Sequence, residues 1–439
     1  MKTISENRSL LKIYLLSLLP IKAVLVQTVV VNMPFGLPNP SQFLNLFFTF
    51  LNIIFIFVYL KALLYDRYFF PLFIWFLSLS FILLIQPVFS FYFTWNYDDF
   101  AWYFRVLSWI TILPLSFLAF KTKEDIFLLR KWGIIAFFII FAGILIGNIF
   151  TIGRTAYDIG TFYMGFWASE APLSITLLGF SSFFFLPKDS AKGHVFISKS
   201  GILLLLLNFS LLILVMKRST ILAFIISVII IFFLLTSSKI KILSLKHFFS
   251  ASVLIILLLL GSFSLVKITK PEALDLRSKD LTRMEEAGGD IRFLGSGRLF
   301  LVERYIQHFM NQPLFQKIFG VDITGLIDKK SRGYLYSDLR TSPHNDYLNV
   351  LVRSGLVGLG LYVCFFLFAF KMIFRIYRIN DNIICLYTSA ITLGMFVSYF
   401  IVSLGGSLQS ILMLTALMML LGANIGVAQK TDNRHSSLR

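Results

Sequence analysis

The sequence predicts an all-α polytopic membrane protein with about twelve transmembrane helices and one large, partly helical loop on the outer face. Three observations carry this. The chain of 439 residues is 57% hydrophobic and 17% aromatic, with a mean hydropathy of +0.82. Only 14% of its residues are charged, where a soluble domain has about 25%. Its apolar residues also fall in runs of roughly 20 with almost no charge, the length an α-helix needs to cross a bilayer. Helices are required because hydrocarbon offers backbone N–H and C=O groups no partners.

Twelve spans follow in order, at 11–31, 42–64, 69–93, 100–120, 132–150, 162–186, 200–216, 219–236, 247–266, 347–374, 383–403 and 407–427. No small-residue cleavage pattern follows the first of them, so it reads as a retained helix rather than a signal peptide. The only two cysteines, Cys364 and Cys385, fall inside apolar runs, which implies neither a disulfide framework nor a cysteine metal site.

Lys and Arg in the short connections set the orientation. One side carries Lys61 and Arg67; Lys121, Lys123, Arg130 and Lys131; Lys188, Lys192 and Lys199; Lys239, Lys241 and Lys246; Lys371, Arg375 and Arg378; and Lys430, Arg434 and Arg439. The opposite connections are nearly bare: residues 32–41 and 404–406 hold no Lys or Arg, and FTWNYDDF offers Asp98 and Asp99 instead. Both termini are therefore expected in the cytoplasm. The net charge of +18 is mostly this orientation signal, which argues against a nucleic-acid partner despite the basic excess.

The expected organisation is nine spans over 1–266, an outer loop domain over 267–345, three further spans over 346–427 and a cytoplasmic tail over 428–439. The loop holds thirteen Lys/Arg and ten Asp/Glu, a mixed-charge, water-facing composition. Long loops translocate whatever their charge, so its basic residues leave the orientation intact. Within it, GSGRLFLVERYIQHF reads as an amphipathic helix, with Leu299, Val302, Ile306 and Phe309 at helical spacing and Ser296 or Gly297 as cap.

Positive charges on the outer face are the exceptions, and they nominate a site. Lys217 and Arg218 interrupt two apolar spans; they are either basic ends snorkelling to the interface or interior functional groups. Arg298 is either an ordinary loop arginine or, with the backbone N–H groups of a helix start, an anion site suited to bidentate phosphate contact. In TSPHNDYL, His344 is either a loop histidine bonding locally with Asn345 and Asp346 at a helix cap or a general base near neutral pH. The charge-derived topology puts Arg218, Arg298 and His344 on one face although the first and last are 126 positions apart. Two guanidiniums and a base at a membrane surface suit a lipid-linked diphosphate and a hydroxyl to be activated.

These residues also carry a family resemblance. Arg218-Ser-Thr-Ile-Leu222 resembles the RxxxL element of bacterial O-antigen ligases. His344-Asn345, nine residues, Gly355, two residues and Gly358 resemble that family's HNx₉GxxG element. The SGR turn at 296–298 is similar to its second arginine, and the wider family includes surface-polysaccharide polymerases. The motifs cover about 218–358; the first half of the chain is similar in layout only.

The resemblance implies a GT-C-like glycosyltransferase of the bacterial inner membrane, with its active site periplasmic, inverting and without metal or cofactor. Its donor would be an undecaprenyl-diphosphate glycan held by Arg218 and Arg298, with Lys217 and Arg154 as further contacts. His344 would activate or orient the acceptor hydroxyl, and Asn345 would position the histidine or a substrate oxygen. Gly355 and Gly358 are expected to allow close helix packing rather than to touch substrate. The acceptor would be lipid A–core in a ligase or a lipid-linked repeat unit in a polymerase. Asp98-Asp99 could mimic the acidic motif of other lipid-linked-sugar transferases, although an ordinary outer-loop role accounts for it. A third reading, a flippase for lipid-linked sugars, expects charged residues lining a central cavity instead of one face.

Overall fold

A computed structural model describes residues 2–27, 40–93, 97–149, 218–237, 294–320, 345–380, 382–403 and 411–436, with four isolated helical residues between 253 and 264. Every described element is helical. In chain order they are α1 (Lys2–Gln27), α2 (Pro40–Val58), α3 (Leu60–Tyr65), α4 (Phe70–Phe93), α5 (Tyr97–Ile110), α6 (Ile112–Ala119) and α7 (Lys123–Ile149). There follow α8 (Arg218–Ser237), α9 (Leu294–Asn311), α10 (Leu314–Phe319), α11 (Asp346–Ile379), α12 (Ile383–Ser403) and α13 (Ile411–Ser436). Helices stand at nine of the twelve expected spans; 162–186, 200–216 and all but four residues of 247–266 lie outside the described residues.

Among the described residues, three helices are long and apolar enough to cross a membrane: Lys123–Gly143, Asp346–Ile379 and Ile383–Ile401. Five shorter apolar stretches accompany them, Phe43–Val58, Phe70–Gln86, Tyr103–Ala119, Leu222–Ser237 and Leu414–Gln429. Two expected single spans are broken. The first divides at Tyr59 into α2 and α3. The second divides at Thr111, and Pro114 supplies the cause: it has no N–H for the carbonyl of Ile110, where α5 ends.

The core is built on α6 and α13, which pack together. From Leu414 to Ala428 α13 is buried throughout, and a helix apolar on every side belongs inside a bundle. Gly422 allows this approach, since a Cβ there would stand 2.7 Å from the Leu113 carbonyl oxygen. Buried polar side chains tie the remaining helices. Tyr14 donates to Asn52 Oδ1 at 2.8 Å, and Asn52 Nδ2 donates to Thr111 Oγ1 at 2.9 Å. Lys22, 1% exposed, donates to the Ser108 carbonyl at 3.2 Å and to Thr415 Oγ1 at 3.1 Å, joining α1, α5 and α13.

At one end of the bundle four of the basic segments meet. Arg8 Nε donates to the Ala119 carbonyl at 3.3 Å, and Lys12 pairs with Asp125. Lys121 Nζ donates to Gln429 Oε1 at 2.8 Å, and Gln429 Nε2 donates to Asp66 Oδ2 at 2.6 Å. The N-terminus, the 61–67 connection, the 120–125 connection and the end of α13 thus share this end. Asp125 is its hub. Its carboxylate accepts from the N–H groups of Lys121 at 2.8 Å and Thr122 at 2.9 Å, while Thr122 Oγ1 accepts from its own N–H at 3.4 Å. That is a capping box opening α7. Asp125→Ala removes the carboxylate half of this box, sparing the Thr122 Oγ1 cap, and leaves Lys12 without this partner, a cost of about 1–3 kcal/mol. The expected result is a lower thermal midpoint in detergent, with Asp125→Glu milder.

Candidate active site

The opposite end is organised by the start of α11. Asn345 takes an extended backbone (φ −142°, ψ 118°), and its Oδ1 accepts the N–H of Leu348 at 3.1 Å. The helix cap anticipated around His344 is therefore Asn345, one residue on. Asp346 follows in the first turn, where helix N–H groups favour negative charge. It is 1% exposed and lies within electrostatic reach of Tyr347, Tyr362 and Tyr399. Tyr362 of α11 and Tyr399 of α12 bond hydroxyl to hydroxyl. A buried acid and three phenols thus lie behind the motif. Sequence reading treated Asp346 only as part of a cap, because its burial depends on how the helices pack.

Nine residues after Asp346 the helix kinks. Gly355 has φ +65° and ψ −168°, a region essentially confined to glycine. A Cβ there would stand 2.5 Å from the Gly320 N and closer still to the Ile318 carbonyl oxygen. Gly320, which ends α10 with φ +94°, meets α11 in return: its Cβ would stand 2.6 Å from Ser354 N. Two positive-φ glycines therefore cross backbone to backbone. The expectation that Gly355 serves packing holds, with a kink added. Gly358 contributes locally, its Cα facing the Ser354 side chain. Around the crossing, Tyr103 of α5 donates to the Arg353 carbonyl at 3.2 Å, and Gln86 of α4 donates to the Phe319 carbonyl.

This crossing holds α9 as well as α10. Tyr305 of α9 is fully buried against Leu348 and Val352, with Val302 and Leu351 beside them. Its phenol is pushed up to about 12, chiefly by burial, with Arg353 nearby pulling the other way. His308, one turn on, has its pKa lowered by burial. Arg298 precedes Tyr305 by two helical turns, about 10 Å along the axis, on the same stripe as Val302, Tyr305 and Phe309. The helix begins at Leu294, so Ser296 and Gly297 lie inside its first turn instead of capping it, and Arg298 falls in the second. Within the helix, the N–H groups with no intrahelical acceptor are those of residues 294–296.

Arg218 opens α8. That helix runs antiparallel to α12: Ser227 Oγ donates to the Gly394 carbonyl at 2.8 Å, and Ser398 Oγ to the Ala223 carbonyl at 3.3 Å. Continuing the pairing five residues sets Arg218 level with Ser403, one turn beyond Tyr399, which lies within electrostatic reach of Asp346. The backbone positions of Arg218, Arg298 and Asn345 are thus carried to one end of the bundle by α8, α9 and α11. Arg154, Lys217 and His344 lie outside the described residues; His344 precedes Asn345 directly.

These elements coincide with a family match. Residues 203–363 match the family described as O-antigen ligase. This segment is O-antigen ligase-like. It takes in α8, α9, α10 and α11 as far as Val363, and so all three motif elements, while Arg154 falls outside it. Comparison with curated proteins finds no match. The O-antigen ligase-like segment and the apolar helices together point to a membrane protein of surface-polysaccharide biosynthesis, with a function of the ligase or polymerase type.

Proposed function

We propose that the protein is an inverting membrane glycosyltransferase that moves an undecaprenyl-diphosphate-linked glycan to an acceptor sugar hydroxyl at the periplasmic face. The observation that carries this reading is the meeting of Arg218, Arg298 and Asn345 at one bundle end, within the segment that matches the O-antigen ligases. Arg218 and Arg298 hold the diphosphate, the leaving group, whose charge grows as the anomeric C–O bond breaks; guanidiniums suit it by bidentate contact. Lys217 adds charge beside Arg218, and Arg154 contacts the diphosphate or the glycan. His344 takes the proton of the attacking hydroxyl or orients it, and Asn345 holds the histidine or a substrate oxygen through Nδ2. No metal or cofactor takes part in this step.

The proposed acceptor is lipid A–core, which makes the protein an O-antigen ligase of the inner membrane. The lipopolysaccharide and carrier-lipid pools of a deletion strain test this. Long glycan left on the carrier with bare lipid A–core is the expected result. Lipid A–core capped by a single repeat unit would instead make the protein a polymerase. Transfer by purified protein in detergent, with no membrane gradient, separates both from a flippase.

A further inference from the structure

The apolar residues of α9 do not all face the same way. Val302 and Tyr305 turn toward α11 and Phe309 is buried, whereas Leu299, Ile306 and Met310 are exposed, Met310 by 61%. On a helical wheel the exposed three fall within roughly 40° of one another, next to the packed stripe. Arg304, Gln307 and Asn311 occupy the exposed remainder. Glu303 borders the apolar stripe, and its Oε1 accepts from Gln307 Nε2 at 3.2 Å, on the polar side. The helix therefore has three faces: one on protein, one apolar and open, one polar. Short α10 continues the open apolar face with Leu314 at 74% and Phe315 at 67% exposure.

What covers this face is indicated by its surroundings. The exposed stripe of α4 runs through Phe70, Ile74, Leu77, Phe81 and Leu84, two residues short of Gln86, which holds the Phe319 carbonyl of α10. The exposed stripe of α11 runs through Leu356, Leu367 and Phe374, beginning one residue after Gly355, which lies against Ile318 of α10. Both stripes are exposed apolar sides of apolar helices, α11 being long enough to cross a membrane, and both lead directly into α10. An apolar face continuous with a lipid-facing surface, with a polar face turned away, is the pattern of an interfacial helix.

We propose that α9 and α10 lie in the membrane–water interface, with Leu299, Ile306, Met310, Leu314 and Phe315 seated among the acyl chains of the leaflet nearest Asn345. Lys317 on α10 extends toward the lipid headgroups. Arg298 precedes Leu299 directly, so this seating sets it at headgroup depth, the level of a lipid-linked diphosphate; that consequence alone rests on the function proposed above.

The test uses the full wild-type chain in vesicles of phosphatidylethanolamine and phosphatidylglycerol. A fraction of the lipid carries a diazirine high on the acyl chain, and adducts are mapped by peptide mass spectrometry. Adducts on the peptide bearing Met310, Leu314 and Phe315, at a yield within about threefold of the peptide bearing Leu367, are expected. Adducts on the α11 peptide with none on α9 and α10 would overturn the proposal, whether water, another segment or a second copy covers the face. A second readout is oxidation of Met310 by hydrogen peroxide, expected to slow at least tenfold in vesicles relative to an unfolded peptide; equal rates would overturn it too. Neither readout involves substrate, so both are independent of whether the transfer reaction is as proposed.

Discussion

Gly355→Ala is expected to produce purified protein of lower thermal midpoint and to lower glycan transfer by about 10²-fold. Two separate costs add. The backbone at φ +65° and ψ −168° is strained for any L side chain, roughly 1–3 kcal/mol. The new methyl would also meet the backbone at Ile318 and Gly320, closer than any real Cβ contact, and backbone cannot swing aside as a side-chain tip can. Either α11 straightens or α10 lifts away. Both displace α9, which is held by Tyr305 against Leu348 and Val352, and with it the position of Arg298. A shift of about 1 Å in a positioning element suffices for a hundredfold loss in rate. Gly360→Ala is the matched control: nothing lies within 4 Å of a Cβ there, and alanine favours a helix interior by up to about 1 kcal/mol. It is expected to retain activity with an unchanged or slightly higher midpoint. Equal behaviour of the two variants in thermal and transfer assays would show that the crossing does not position the site.

The contrast between these glycines shows what a sequence of this kind reveals. Hydropathy located nine helices because burial in lipid demands long apolar runs whatever the tertiary packing. The break at Thr111 was missed within a single expected span over 100–120, although Pro114 carries its signal, since a missing N–H acts locally. The HN and GxxG elements marked Asn345 and Gly355, but not that the first caps a helix while the second bends it against Gly320. That partner is 35 positions away, and the pairing is set by two backbones meeting in space. The spacing of Leu299, Val302, Ile306 and Phe309 correctly indicated a helix. It could not divide them into Val302 and Phe309 turned inward and Leu299 and Ile306 turned out, because α11 decides the division. Asp346 escaped notice for the same reason: a carboxylate beside a cap is ordinary until the packed helices bury it within electrostatic reach of Tyr362 and Tyr399.

His344→Ala and Arg298→Ala are expected to leave expression and membrane insertion intact and to abolish detectable transfer between purified lipid substrates. The two should fail differently. A general base contributes about 10²–10⁴-fold to rate, so His344→Ala should lower kcat while donor is still bound. Arg298 meets the diphosphate both before and during bond breaking, so Arg298→Ala should raise the KM for the lipid-linked donor as well. Arg298→Lys keeps the charge but loses the bidentate fork and should recover donor binding better than turnover. Asn345 separates scaffold from chemistry. Its Oδ1 caps α11 through the Leu348 N–H, and Asn345→Asp preserves that acceptor while removing the Nδ2 donor. A thermal midpoint like wild type with impaired transfer would assign Nδ2 to the reaction; normal transfer would confine Asn345 to the cap. Wild-type product levels from either His344→Ala or Arg298→Ala would remove the proposed site.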